Sequence, residues 1–292
     1  MTGLWPDRLR LLVSYAYIPD GWEPPPGMDV LIDSGAFTAH TTGKQISLEN
    51  YMTFLSDHAG AYRAAFALDV IGDAAGSLRY YRIMRRALPD KVQIIPTWHV
   101  TSGWEHYEAL LKSGAPTVAV GGAVPYSNKR TTLMRTFIRA HRLAREAGVR
   151  LHGLGQTGNS VARLPWESVD SSSWKYPLQY PMLLLGKRSG DIVSIKRGQP
   201  LTPQNAALAK RYGIDPLLVR SPHATIPARV GRDTANRRTV QFAAAAARSY
   251  LHQEATSHYG TRVHLAVSPD DLDRGVVDAW QQGSPYPLRG AQ

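Results

Sequence analysis

Short apolar runs rich in Val, Ile and Leu alternate along the chain with longer stretches whose apolar residues recur at helical spacing. The runs fall at 11–17, 30–33, 65–70, 92–98, 117–120, 149–154, 168–170 and 192–195, each of a length suited to a buried strand. Helix ends are readable between them. Ser77 is placed to cap a helix running to Leu88, with Pro89 beyond it. Gly103 opens a second, which carries Trp104, Tyr107, Leu110 and Leu111 and stops at Gly114. Asn128 caps a longer third, with Leu133, Phe137, Ala140 and Ala144 on one face and Gly148 after it. Strand and helix in alternation predict a parallel sheet covered by helices. Eight strands predict a (β/α)8 TIM-type barrel, with a doubly wound open sheet as the alternative.

Past about Lys187 the pattern loosens. The stretch 199–232 holds Pro200, Pro203, Pro216, Pro222 and Pro227 among Arg and His, which predicts loops with one short helix at 205–212. A clear helix follows at 234–254, with an Ala-rich centre from Phe242 to Leu251, and the tail past Gly275 is expected to be loosely held. The expected organisation is a main barrel over 1–198, with a basic, loop-rich and helical part over 199–292 packed on it.

Several strands end in the same way. Val30-Leu31-Ile32 runs into Asp33-Ser34-Gly35-Ala36-Phe37, and Phe66-Ala67-Leu68 into Asp69. Leu164, Trp166 and Val169 lead to Asp170-Ser171-Ser172-Ser173-Trp174. A carboxylate after a short strand also makes an Asx-turn or a helix N-cap. Here three recur, and Gly121-Gly122 and His152 close two further strands. A barrel carries its reactive groups at these C-terminal strand ends. Gly121 and Gly122 suit close approach of a ligand to backbone N–H groups, or simply a tight turn. His152-Gly153-Leu154-Gly155-Gln156-Thr157-Gly158 lacks the Lys-Ser/Thr of a phosphate loop and suits a small-residue wall against a flat ligand.

Composition narrows the chemistry. Cysteine is absent, which removes disulfides, thiol nucleophiles and thiolate zinc sites. The histidines, His40 and His99 among them, lack ligand spacing, so no metal or cofactor is expected and these side chains read as structural. No apolar run approaches the ~20 residues of a membrane span, and no basic segment followed by an apolar one opens the chain. A cytoplasmic protein with no membrane partner is the expectation, in the host cytoplasm if phage-encoded. The net charge of +11 and pI near 9.9 point to a polyanion. A GC-rich genome accounts for Arg over Lys but less well for the excess of cations over acids. That excess is concentrated late in the chain, where Lys187, Arg188, Lys196, Arg197, Arg237 and Arg238 are the expected nucleic-acid contacts.

Taken in order, these pieces resemble the tRNA-guanine transglycosylase superfamily. Asp33-Ser34-Gly35-Ala36-Phe37 is similar to its Asp-Ser-Gly-Gly-Phe motif, and Ala67-Leu68-Asp69 to the segment of its base-reading aspartate. Val120-Gly121-Gly122 is similar to its Gly-Gly loop, His152-Gly153-Leu154-Gly155 to its His-x-Leu segment, and Val169-Asp170 to its nucleophilic aspartate. The resemblance covers about 30–174. Two departures stand out. The chain cannot build the family's cysteine-held zinc, and the loop that carries a family glutamine is here Pro96-Thr97-Trp98-His99. The short, cysteine-free form is more similar to the 7-deazaguanine DNA transglycosylases of phage and bacterial DNA modification.

The resemblance implies Asp170 as nucleophile and Asp33 as general acid and base. Asp69 would read the base, within a site lined by Gly121, Gly122, Ser34, Phe37, His152, Leu154 and Gly155. It implies DNA as polymer, with tRNA as the alternative, and a free 7-deazaguanine base as second substrate. A base stacked in a duplex cannot reach such a pocket, so the target must be flipped or single-stranded. Two other classes fit the residues: a hydrolase or N-glycosidase on the same barrel, and a non-catalytic nucleic-acid-binding barrel.

Overall fold

The computed structural model describes residues 9–24, 27–123, 130–196, 198–220 and 237–268. Asn128, Arg197 and the tail past Gly275 lie outside them, as do the side chains of Arg237 and Arg238. Nine strands form one parallel sheet: β1 (Arg10–Ser14), β2 (Asp29–Asp33), β3 (Ala64–Phe66), β4 (Ile94–Ile95), β5 (Thr97–His99), β6 (Thr117–Gly121), β7 (Arg150–Gly153), β8 (Ser168–Ser171) and β11 (Arg262–Val267). Their order is β4-β3-β2-β1-β11-β8-β7-β6-β5. The two ends of that order are neighbours in the chain, because only Pro96 separates β4 from β5. The Ile95 carbonyl accepts from Ala67 N–H at 2.9 Å, and the Pro96 carbonyl accepts from Ala119 N–H in β6 at 2.8 Å. The run 94–99 is therefore bonded on both sides, and the sheet curls into a barrel-like wall. Proline has no N–H to give a ladder, which is why the strand is interrupted there.

The barrel alternates as a sheet buried on both faces must. Leu11, Val13, Val30, Ile32, Val118, Val120, Val169, Val263 and Leu265 point outward, into a large apolar shell closed by helices. That shell includes Tyr51 and Leu55 of α2 (Leu48–Asp57), Tyr81 and Met84 of α3 (Ala74–Ala87), Tyr107 and Leu110 of α4 (Trp104–Leu111), and Phe137, Ala140 and Ala144 of α5 (Arg130–Glu146). Shorter helices, α1 (Ala36–Thr42), α6 (Asn159–Arg163) and α7 (Tyr176–Gln179), fill connections at the mouth. Leu12, Leu31, Ala64, Phe66, Ile95 and Ala119 point inward and plug the middle. The N-terminal end is closed by charges in pairs. Arg63 grips Asp29 through Nε at 2.6 Å, Arg10 reaches Glu254 at 2.7 Å, and Glu167 accepts from Arg150 and Arg262.

The structure corrects several sequence expectations. The strand expected at 192–195 is not in the barrel. It belongs to β10 (Ile192–Lys196), which pairs antiparallel with β9 (Met182–Gly186) in a separate hairpin. The barrel position belongs to β11, between β8 and β1, so the wall draws a strand from beyond residue 198. The helix expected to start at Ser77 starts at Ala74, because Asp73 is its cap and accepts from Gly76 N–H at 2.8 Å. Ser77 instead binds the Val70 backbone, accepting from its N–H at 2.9 Å. The short helix expected at 205–212 is α8 (Pro203–Arg211), capped by Thr202 and followed by α9 (Pro216–Arg220). The late Ala-rich helix is α10 (Arg237–Thr256), with the segment from Phe242 to Leu251 buried against the hairpin and β11. No helix among the described residues is long and apolar enough to cross a membrane.

Candidate active site

Asp33, Asp69 and Asp170 come from separate strands to the C-terminal mouth of the barrel. Asp33 ends β2, in register with Ser14 of β1. Its Oδ2 accepts from Gly35 N–H at 3.0 Å, in a turn that only glycine can make. Gly35 has φ 76°, and a Cβ there would stand 2.6 Å from that of Ala16. Burial, then the negative charge of Asp69 and, less strongly, that of Asp170 push the Asp33 carboxyl up to about 7, against the Gly35 bond that favours the anion.

Asp69 follows β3 and is held from two sides. Ser34 donates its hydroxyl to Oδ1 at 3.3 Å, and His99 Nε2 lies 2.7 Å from Oδ2. His99 ends β5, paired with Gly121 of β6. Its ring stands against the glycine turn, since a Cβ on Gly122 would lie 3.3 Å from His99 Nδ1. Gly121 itself is wedged between Leu154 and Thr97. The close approach expected at the two glycines is thus taken up from one side by side chains of the barrel.

Asp170 is the most enclosed of the three, 5% exposed. Its Oδ1 takes Gly155 N–H at 3.3 Å and lies 3.1 Å from His152 Nε2. His152 is fully buried, and its Nδ1 lies 2.8 Å from the Ser168 hydroxyl. Below it, His264 of β11 sits in register with Asp170, its ring 6.1 Å from that of His152. Burial and, next, His152 pull the His264 imidazole down to about 3, so it stays neutral.

The structure therefore divides the residues expected to line a base site. Asp69, Gly121, Gly122 and Leu154 stand at the mouth. Phe37, at the start of α1, is 70% exposed and free to meet a ligand face. Ser34, His152 and Gly155 each bond a carboxylate of the site, and of the three only Gly155 is exposed. Ser34 is buried against Asp69, while Asp170 is held by His152 from inside the barrel and by the N–H of the exposed Gly155. A ligand cannot reach an imidazole that exposes none of its surface.

Among the residues read as structural, His99 belongs to the mouth. Its one sequence signal is its position at a strand end, the same as that of the carboxylates. Ser168 and His264 carry no signal of their own. Beside the mouth, an open groove of about 570 Å³ runs between the loop after β1 and the helices α1 and α2, lined by Tyr15, Tyr17, Trp22 and Phe54. Among the described residues, no group of three or more His, Asp or Glu could hold a metal ion.

Of the expected basic contacts, Lys187, Arg188 and Lys196 are exposed on the β9–β10 hairpin. That hairpin follows β8 in the chain, and Gly190 in its turn lies against Ala162 of α6 and Thr256 of α10. No protein-family model and no curated protein matches the chain.

Proposed function

We propose that this protein is a DNA-guanine transglycosylase built on a (β/α)8 barrel, with 94–99 counted as one strand interrupted at Pro96. It exchanges guanine in DNA for a 7-deazaguanine base. The observation that carries this reading is the division of labour among three carboxylates gathered at one mouth. Asp33 titrates near neutrality, as a group that must both give and take a proton should. Asp170 has one oxygen held by two N–H groups, which leaves the other for the sugar. Asp69 is fixed as an acceptor by Ser34 and His99. The order of motifs shared with the transglycosylase superfamily supports the same assignment.

In the first half-reaction, Asp170 Oδ2 attacks the anomeric carbon as the bond to guanine N9 breaks. The electron pair leaves with the base, which takes a proton from Asp33. In the second, the ionised Asp33 removes the proton from N9 of the entering base. That nitrogen then attacks the anomeric carbon, and the pair of the sugar–oxygen bond returns to Asp170. Two displacements retain configuration. Asp69 accepts from the imide and amino N–H groups of a guanine-type edge, and Phe37 covers the face of the base. The exposed cations of the hairpin meet the phosphates that flank the flipped nucleotide.

The test is release of labelled guanine from DNA and from tRNA in parallel, with a 7-deazaguanine supplied as acceptor. Exchange on DNA is expected. Exchange on tRNA with none on DNA would overturn the choice of polymer, and release without incorporation of the acceptor would make the protein a hydrolase.

A further inference from the structure

A double displacement asks two opposed things of one carboxylate. It must attack the sugar in the first step and leave it in the second. A strong nucleophile that is a poor leaving group would strand the enzyme as its own ester. The wall around Asp170 carries a device that bears on this balance. Oδ1 faces the His152 ring nitrogen at 3.1 Å and Gly155 N–H at 3.3 Å, while Oδ2 has no bonding partner among the described residues. Only Oδ2 is open to the sugar.

His152 cannot turn away. It exposes none of its surface, its Nδ1 is tied to Ser168 at 2.8 Å, and Phe66 packs 4.9 Å from its ring. The partner on Nε2 is a carboxylate, which accepts, so Nε2 carries the proton. The Ser168 hydroxyl rotates to suit Nδ1. Strand register fixes this pair, since His152 and Ser168 are direct partners across β7 and β8 and Asp170 follows on the same face. The groups facing His152 are thus Ser168, Asp170 and the neutral His264 of β11.

We propose, building on the transglycosylase reading, that His152 is a positioning residue that sets how readily the Asp170–sugar ester is broken again. A hydrogen bond to an ionised carboxylate is roughly twice as strong as one to a neutral oxygen. His152 therefore stabilises Asp170 as the free anion more than as the ester. It raises the leaving ability of Asp170 in the second half-reaction and keeps the covalent intermediate from accumulating. Ser168 serves by holding the ring in the tautomer that donates.

The test measures the fraction of enzyme held as a denaturant-resistant DNA adduct at steady state. Guanine-containing single-stranded DNA and a fixed concentration of 7-deazaguanine are supplied, and turnover is followed alongside. His152→Leu removes the donor. The adduct fraction is expected to rise as turnover falls by about 10- to 100-fold, the ratio that loss of one charge-assisted bond implies. His152→Gln keeps an N–H donor and should restore most of both quantities. Ser168→Ala loosens the tautomer and should move both the same way by a smaller factor. Should His152→Leu fail to fold, Ser168→Ala carries the comparison.

Lower turnover with an unchanged or smaller adduct fraction in the folded variants would overturn the role of His152 and leave the transglycosylase reading standing. A wild-type protein that forms no adduct and releases no guanine from any nucleic acid would overturn both.

Discussion

Two aspartates stand on one strand, four residues apart and on the same face, and they live in opposite surroundings. Asp29 opens β2 at the closed end of the barrel and Asp33 ends it at the mouth. Asp29 is 3% exposed and gripped by Arg63, with Arg10 at 3.6 Å. Burial pushes its carboxyl up, but the Arg63 hydrogen bond and the charges of Arg63 and Arg10 outweigh that and hold it below the ordinary range. Asp33 is half-buried at the rim, and desolvation together with the carboxylates that face it, where arginines face Asp29, raises it to about 7. The closed end is built to keep charges ionised and paired. The mouth holds like charges together at the expense of stability, which is the usual mark of a working site.

The sharpest way to break this contrast is at Asp170. Asp170→Asn keeps the shape and loses the anion, so base exchange should fall by at least about 10⁴-fold. The denaturant-resistant adduct should vanish while DNA binding stays within a few-fold. Guanine release assays and denaturing gels report the two. Substantial exchange in the variant would move the nucleophile elsewhere, with Asp33 the next candidate.

Asp33 comes next. Asp33→Ala should lower turnover by about 10²–10⁴-fold, the range for a positioned acid or base. On the transglycosylase reading the departing base takes its proton from Asp33, so guanine release by the wild type should fall as pH rises through about 7. Stability follows the same sign. A carboxyl raised in the folded state favours folding while it is protonated, and that advantage is lost as pH rises from the unfolded value of about 4 through about 7. Asp33→Asn should therefore be more stable than the wild type at pH 8, by at most about 4 kcal/mol, and no more stable near pH 4. Urea melts at the two pH values measure this. An equal difference at both would detach Asp33 from the titration.

Asp29 gives the opposite sign. Asp29→Asn leaves Arg63 without its anion and Arg10 with Glu254 alone, and the wild-type bond is stabilising above the unfolded pKa of about 4. The variant should lose roughly 2–3 kcal/mol near neutral pH, toward the low end for a broken ion pair because Arg63 keeps 40% of its side chain exposed. Guanine release by the folded protein should stay within about threefold. A large drop in rate with little change in stability would show that the two ends are not separate in function.

How far these ends can be read from the sequence follows from what each depends on. Asp33, Asp69 and Asp170 are legible because each closes an apolar run, and a parallel barrel sends such ends to one rim. The ion pairs of the closed end are not, because Asp29–Arg63 and Arg10–Glu254 join residues far apart in the chain. Strand β11 escapes for a related reason. Arg262-Val263-His264-Leu265 alternates as a half-exposed strand does, and only the barrel buries His264. The run at 192–195 is as apolar as a barrel strand, yet it lies between residues that complete a hairpin with β9. His152 is legible as a strand end, but its burial is not: register with Ser168 and packing on Phe66 place it inside the barrel beneath Asp170 rather than at the open mouth.

The smallest effect expected concerns the proposed contact with DNA. The chain leaves β8 one residue after Asp170, turns through Ser173–Lys175 and α7, and enters the β9–β10 hairpin. The tip of that hairpin is closed by Lys187 N–H on the Asp191 carbonyl at 2.8 Å and holds Lys187 and Arg188 exposed. The Asp191 carboxylate accepts from the Ser189 hydroxyl at 2.8 Å. The turn packs through Gly190 against Ala162 and Thr256, which leaves its two cations on the flank of the barrel. Removing one cation that neutralises a phosphate should lower the slope of log affinity against log salt by about one. Lys187→Ala combined with Arg188→Ala should therefore lower it by about two and weaken single-stranded DNA binding only a few-fold at moderate salt. Fluorescence anisotropy across a salt series measures both quantities. An unchanged slope would take the hairpin out of the DNA path and leave the chemistry of the three carboxylates as it stands.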